Sequence, residues 1–184
     1  MEGCDRARWQ VTTGRQDPGT VERLLRALPG WFGIPAANAG YVESARELPT
    51  YLACPTTHDA ADAEPVGVLL ARRHFAQAAE IHLLAVDPSL HRHGIGRALV
   101  SALEADLVAD GCMLLQVKTL GPSNPDAGYT RTRKFYATLG FWPLEELLDL
   151  WSPDNPCLLM VKVLAQSAAS SGNGGTALAR TTSA

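Results

Sequence analysis

The clearest periodicity in the chain is a four-residue repeat of apolar side chains at Ile95, Leu99, Leu103 and Leu107. That spacing draws one buried stripe along a helix, and it predicts a helix over residues 94–110 with Gly111 at the C′ position. Just before it, residues 80–86 read Glu-Ile-His-Leu-Leu-Ala-Val, a strand closed by Asp87-Pro88. Just after it, residues 112–119 put Leu115, Val117 and Thr119 on one face of a second strand. Strand, turn, helix and strand form the centre of the chain.

The flanks add further elements. Residues 8–13, 51–54 and 66–73 read as strands, the last of them the longest and most apolar. Asp17-Pro18-Gly19-Thr20 supplies turn and cap residues and opens a helix that runs through Leu28, where Pro29-Gly30 ends it. A second helix is predicted over 40–48, stopped by Pro49. Between the two helices lies an aromatic loop, Trp31-Phe32-Gly33-Ile34-Pro35. A loop rich in Gly, Pro and Asn over 121–128 leads to a helix over 130–139, a turn at Gly140 and a last strand over 157–163. Residues 165–184 are almost all Ala, Ser, Gly and Thr, too poor in large apolar groups to offset ordering entropy. The expected organisation is one mixed α/β domain over 1–164 and a disordered C-terminal tail over 165–184.

Composition narrows the classes. A chain of 184 residues with 46% hydrophobic and 19% charged residues suits one globular domain. A net charge of −3 and a pI near 5.9 give no electrostatic reason to expect nucleic acid or an anionic membrane. Neither a signal peptide nor a membrane span is visible, so a cytoplasmic location is expected. Cys4, Cys54, Cys112 and Cys157 are scattered without CxxC pairs or metal-ligand spacing, which points to free thiols and no metal.

The chemistry concentrates between Ala79 and Val100. At the start of the central helix, Gly94 and Gly96 carry no Cβ, so an anion can approach the N–H groups of the first turn. Those donors have no intrahelical partner and the helix dipole adds positive potential, which favours a phosphate. Arg92 and Arg97 flank the turn and can add charge-assisted bonds.

The stretch His91-Arg92-His93-Gly94-Ile95-Gly96 resembles the acyl-CoA motif of the GNAT (GCN5-related N-acetyltransferase) superfamily, with His91 where the family has Gln or Arg. A second signature, Phe135-Tyr136-Ala137-Thr138-Leu139-Gly140-Phe141, follows in the family's order, with a strand between the two. The resemblance implies a mixed, mostly antiparallel twisted sheet flanked by helices, with a strand–turn–helix site for acetyl-CoA. It implies an N-acetyltransferase that joins acetyl-CoA and an amine in a ternary complex. His91, Arg92, His93, Gly94, Ile95, Gly96 and Arg97 would surround the diphosphate. Leu84, Ala85 and Val86 would bond the pantetheine arm through their backbone, as an added strand does. The family's Asn seven residues before the tyrosine is absent, and Tyr129 stands there.

An amine acceptor is mostly protonated at neutral pH, with about one molecule in a few thousand free for a pKa near 10.4. The enzyme must remove a proton, align the nitrogen and reprotonate the departing thiolate. Glu80 and His82, at i and i+2 of one strand, share a face on the order of 7 Å apart and are the candidate bases. The resemblance supports both, since histone acetyltransferases carry a glutamate at the position matching Glu80 and serotonin acetyltransferase carries histidines at both. Tyr136 matches the family's general acid. Trp31, Phe32, Ile34 and Tyr41 fall in the region that forms the acceptor wall, with Glu43 and Asp59 as acidic groups able to attract a cation. The implied acceptor is a small amine, such as an amino acid derivative, a polyamine or an amine-bearing antibiotic. The alternatives are a peptide or protein acceptor, or a non-catalytic acetyl-CoA-binding module. A monomer or a homodimer fits either.

Overall fold

A computed structural model describes residues 9–56 and 63–165; the tail expected over 165–184 lies, apart from Ala165, outside the described residues, as does Asp59. The elements run β1 (Trp9–Thr12), α1 (Pro18–Arg26), α2 (Pro35–Ser44), β2 (Thr50–Pro55), β3 (Gly67–Phe75), β4 (Ala78–Val86), α3 (Ile95–Ala109), β5 (Leu114–Leu120), α4 (Ala127–Thr138), β6 (Trp142–Ser152) and β7 (Asn155–Val163). Seven strands form one sheet in the order β1-β2-β3-β4-β5-β7-β6. Every pairing is antiparallel except β4 with β5, which is parallel. This is the mixed, mostly antiparallel α/β sheet expected.

Local chemistry sets the helix starts. Asp17 caps α1 through its side chain, accepting from Thr20 N at 2.9 Å, and Pro18 occupies the first turn. Asp126 does the same for α4 by accepting from Tyr129 N at 2.8 Å. That cap starts α4 three residues earlier than its sequence pattern predicts. Pro35 starts α2 five residues early, and no residue of α2 is fully buried, so it has no apolar stripe to reveal it.

Two cores sit on the two faces of the sheet. Ile95, Leu99, Leu103 and Leu107 of α3 pack with Tyr136, Phe141 and the strand residues Ile81, Leu115 and Val117. On the other face Val21, Leu24 and Leu25 of α1 pack with Leu83 and Ala85 of β4.

β4 changes its alternation partway. Leu70 pairs with Leu83 but Ala71 with Ile81, which leaves His82 without a ladder partner. This bulge lets Glu80, His82, Leu83 and Ala85 all serve the α1–α2 face, while Ile81, Leu84 and Val86 serve the α3 face. The parallel ladder with β5 also ends here, running only from Ala78–Leu114 to Ile81–Val117. Beyond that seam the two strands part, and a cleft opens between them.

The pattern of residues does not predict β6. Both its faces are largely exposed, with Trp142, Leu144, Leu148 and Leu150 at least half accessible. An edge strand with both faces in water needs no polar–apolar alternation, and Pro143 is tolerated there because it lies on an edge strand beside a register shift.

Candidate active site

The parting strands bound a cleft of about 510 Å³, walled by residues 81–86 of β4, 117–119 of β5, the start of α3, one side of α4 from Gly128 to Tyr136, the loop after α1, Tyr41 of α2 and Trp151 of β6. It is the size of an ordinary small-molecule site.

At one end lies the loop 91–97. Arg92 and Gly94 both have positive φ, 67° and 85°, which turns successive peptide groups toward one side. The first intrahelical bond of α3 runs from Ala98 N to Gly94 O, so the N–H groups of Ile95, Gly96 and Arg97 have no helical carbonyl to bond. The carbonyls of this segment are pinned elsewhere. Trp9 Nε1 donates to His93 O at 2.8 Å, His93 Nδ1 to His91 O at 3.0 Å, and His91 Nε2 to Val86 O at 2.9 Å. What remains facing the cleft is a set of donors, with Arg92 and Arg97 beside them.

The two glycines do different work. A Cβ at Gly94 would meet nothing within 4 Å, so the space there is open to a ligand. A Cβ at Gly96 would stand 3.1 Å from Phe135 Cζ, so glycine there lets α3 close on α4. His91 acts as a strut from the loop to the end of β4 rather than as a free donor. Val86 O is consequently engaged, although Leu84, Ala85 and Val86 all line the cleft as expected.

Tyr136 sits deeper, 5% exposed, with its ring edge-on to Phe135 and Phe141 at 5.1 and 5.4 Å. Burial drives its phenol well above the ordinary 10, so it carries its proton at any working pH. Its hydroxyl has no side-chain partner among the described residues.

Glu80 and His82 share a face, as their spacing predicts, but their settings differ. Glu80 is 6% exposed, does not line the cleft, and receives bonds on Oε2 from Lys118 Nζ at 2.6 Å, His74 Nε2 at 2.7 Å and Gln116 Nε2 at 3.0 Å. Burial alone would raise its pKa; those bonds outweigh burial and hold the carboxyl below 4.5. His82 does line the cleft. Its Nε2 is 3.4 Å from Arg72 Nη2 and 3.3 Å from Ser44 Oγ. Because a guanidinium only donates, Nε2 is the acceptor and Nδ1 carries the hydrogen. Burial, with Arg72 next, pushes the His82 pKa below 6.5, so the imidazole is neutral near pH 7.

The aromatic residues divide. Tyr41 stands 5.3 Å from the His82 ring and Phe32 6.0 Å from Tyr41, a row on the α2 side of the cleft. Trp31 turns the other way. Its indole donates to Thr132 Oγ1 at 3.2 Å, its edge meets His91 at 5.8 Å, and its carbonyl accepts from Tyr129 O–H at 2.6 Å. Tyr129, pushed up to about 12 mainly by burial, thus ties α4 to the loop after α1. Ile34 is 55% exposed and does not line the cleft, and Glu43 is exposed and paired with Arg46 at 3.0 Å.

Lys118, Thr119, Arg131 and Trp151 also line the cleft and escape sequence reasoning. The period-two alternation of β5 exposes Gln116 and Lys118 to the Glu80 face, but only the parallel register with β4 reveals whom they meet.

In sum of chemistry, the cleft offers amide donors for a diphosphate at one end, an open strand edge along its length, and a neutral imidazole and a protonated phenol where the strands part. Residues 26–141, more than half of the chain, match the profile described as Acetyltransferase (GNAT) family. A protein from Desulfovibrio desulfuricans, described as an acetyltransferase of the GNAT family, superposes with a TM-score of 0.71 at 20% identity, covering 85% of this chain and 99% of that one. The ribosomal-protein-S18-alanine N-acetyltransferase of Escherichia coli gives 0.66 at 16% identity over 89% and 97%. An aminoglycoside 6′-N-acetyltransferase complexed with coenzyme A gives 0.62 at 20% identity over 86% and 98%. No curated protein matches the chain.

Proposed function

Because this chain belongs to the acetyltransferase (GNAT) family, we propose that it moves the acetyl group of acetyl-CoA onto the primary amine of a small molecule held in the same cleft. The observation that carries this reading is the parting of β4 and β5 beside a helix start with unbonded amides. The N–H and C=O groups that β4 presents past Ile81 suit an extended amide-bearing arm, and the 91–97 loop suits its diphosphate.

In this reading one N–C bond forms and one C–S bond breaks. The acceptor ammonium loses two protons, one before and one after attack, and the thiolate gains one. His82 is neutral and faces the cleft, and it accepts the first at Nε2, directly or through a water, as Arg72 and Ser44 give up their bonds to that nitrogen. Glu80 is the weaker base, held ionised by its three donors, and it acts on the side of His82 and Lys118 as a fixed negative charge. Tyr136 gives its proton to the leaving sulfur and takes back the second amine proton, so that the one proton released overall leaves by way of His82. Leu84 and Ala85 align the thioester through the backbone, and Arg92 and Arg97 neutralise phosphate charge. Phe32 and Tyr41 hold the acceptor, and Trp31 closes the cofactor side.

The aromatic residues lining the cleft support a small molecule over an extended peptide. Cys54 and Cys157 are unpaired thiols, which suit a reducing compartment, and we place the protein in the cytoplasm. The test is release of CoA thiol from acetyl-CoA across a panel of amines, with calorimetry of CoA binding. Turnover that depends on amine concentration is the expected result; binding without turnover for every amine would leave a cofactor-binding module instead.

A further inference from the structure

Resting on the acetyl-transfer reading above, we infer that the acceptor carries a single positive charge on an apolar body of about one aromatic ring, and that polycationic amines are rejected. The inference comes from the charges around the acceptor end. Among the described residues, no Asp or Glu lines the cleft, whereas Lys118 does. The nearest carboxylate, Glu80, is buried behind the wall and already bonded by Lys118, His74 and Gln116. Arg72 stands behind His82, its Nη2 3.4 Å from the imidazole. Glu43 of α2 is engaged with Arg46.

A polyamine or an aminoglycoside brings at least one cation besides the reacting one. In this end of the cleft that second charge would lose hydration and find no free carboxylate, because Glu80 and Lys118 already neutralise each other. One cation is tolerated. It can rest against the Tyr41 and Phe32 rings that line the cleft, and it ceases to be a cation when His82 removes its proton. The same rings reward an apolar or aromatic body by covering it. A cleft of about 510 Å³ that also admits the pantetheine end suits a ring-sized acceptor.

Trp31 and Trp151 line the cleft and report on its occupancy by their fluorescence. The experiment titrates 2-phenylethylamine, spermidine and kanamycin into the full chain saturated with CoA, and measures thiol release from acetyl-CoA with the same amines. The expected result is binding of 2-phenylethylamine at least about tenfold tighter than either polycation, and kcat/KM about a hundredfold higher. Phe32→Glu, and Tyr41→Glu as a second variant, are expected to narrow or reverse that preference by supplying the missing carboxylate. Spermidine or kanamycin binding and reacting as well as 2-phenylethylamine in the unaltered chain overturns the inference. Absence of thiol release with these three and with every amine of the panel above overturns the acetyl-transfer reading, and the binding order still decides the pocket chemistry by itself.

Discussion

Lys118 Nζ lies 2.6 Å from Glu80 Oε2 across the short parallel seam of β4 and β5, and both side chains are largely withdrawn from water. Removing one member of such a pair leaves an uncompensated buried charge. Lys118→Met is therefore expected to lower stability by about 3 kcal/mol at neutral pH. The deficit shrinks on acidification, because the orphaned carboxyl then takes up a proton. In the unaltered protein the folded pKa of Glu80 is depressed below 4.5. Its contribution is present above that pH and lost as pH falls through the depressed value. Urea unfolding of both proteins at pH 7.5 and pH 5 checks the sign.

If His82 accepts the amine proton, kcat/KM rises as pH climbs through its pKa, which burial and Arg72 hold below 6.5. His82→Gln is expected to cost roughly 10²–10³-fold in kcat/KM and to abolish that limb. A pH–rate profile that keeps its acidic limb in the variant assigns the base elsewhere.

Tyr136→Phe keeps the ring between Phe135 and Phe141 and deletes only the hydroxyl. The variant is expected to fold with an unchanged or slightly higher Tm and to lose roughly 10²–10⁴-fold in kcat with little change in KM. Steady-state kinetics and a thermal melt on the same sample separate acid catalysis from packing.

Gly96→Ala places a methyl group 3.1 Å from Phe135 Cζ. Overpacking of this kind is expected to cost about 1–2 kcal/mol, because ring and helix must shift apart. Phe135→Leu in the same chain is expected to recover part of that loss. Thermal melts of the single and double variants measure it.

The central strand–turn–helix unit was legible because its signals are local: an apolar stripe at Ile95, Leu99, Leu103 and Leu107, and two glycines at a helix start. β6 was not, since an edge strand wet on both faces carries no alternation and Pro143 argues against a strand. The start of α2 was hidden because none of its residues is fully buried. In the site, the common face of Glu80 and His82 could be read from their spacing. Their different exposure to the cleft could not, since it depends on a bulge at His82 and on β5 bringing Lys118 alongside. Trp31 illustrates the same limit: its place in the chain suggests an acceptor wall, while Tyr129 and Thr132, about a hundred residues later, decide which way it faces.

The seam between β4 and β5 holds only four residue pairs, with four strands on one side and three on the other. The protein is in effect a book with a short spine, its leaves gripped from behind by α3. A molecule lodged between the open pages supplies the hydrogen bonds that the spine stops providing. Ligand and fold are then parts of one structure, and filling the gap is expected to stiffen both strands. Amide exchange along Leu83–Leu84–Ala85, slowed when the gap is filled, is where that difference registers first.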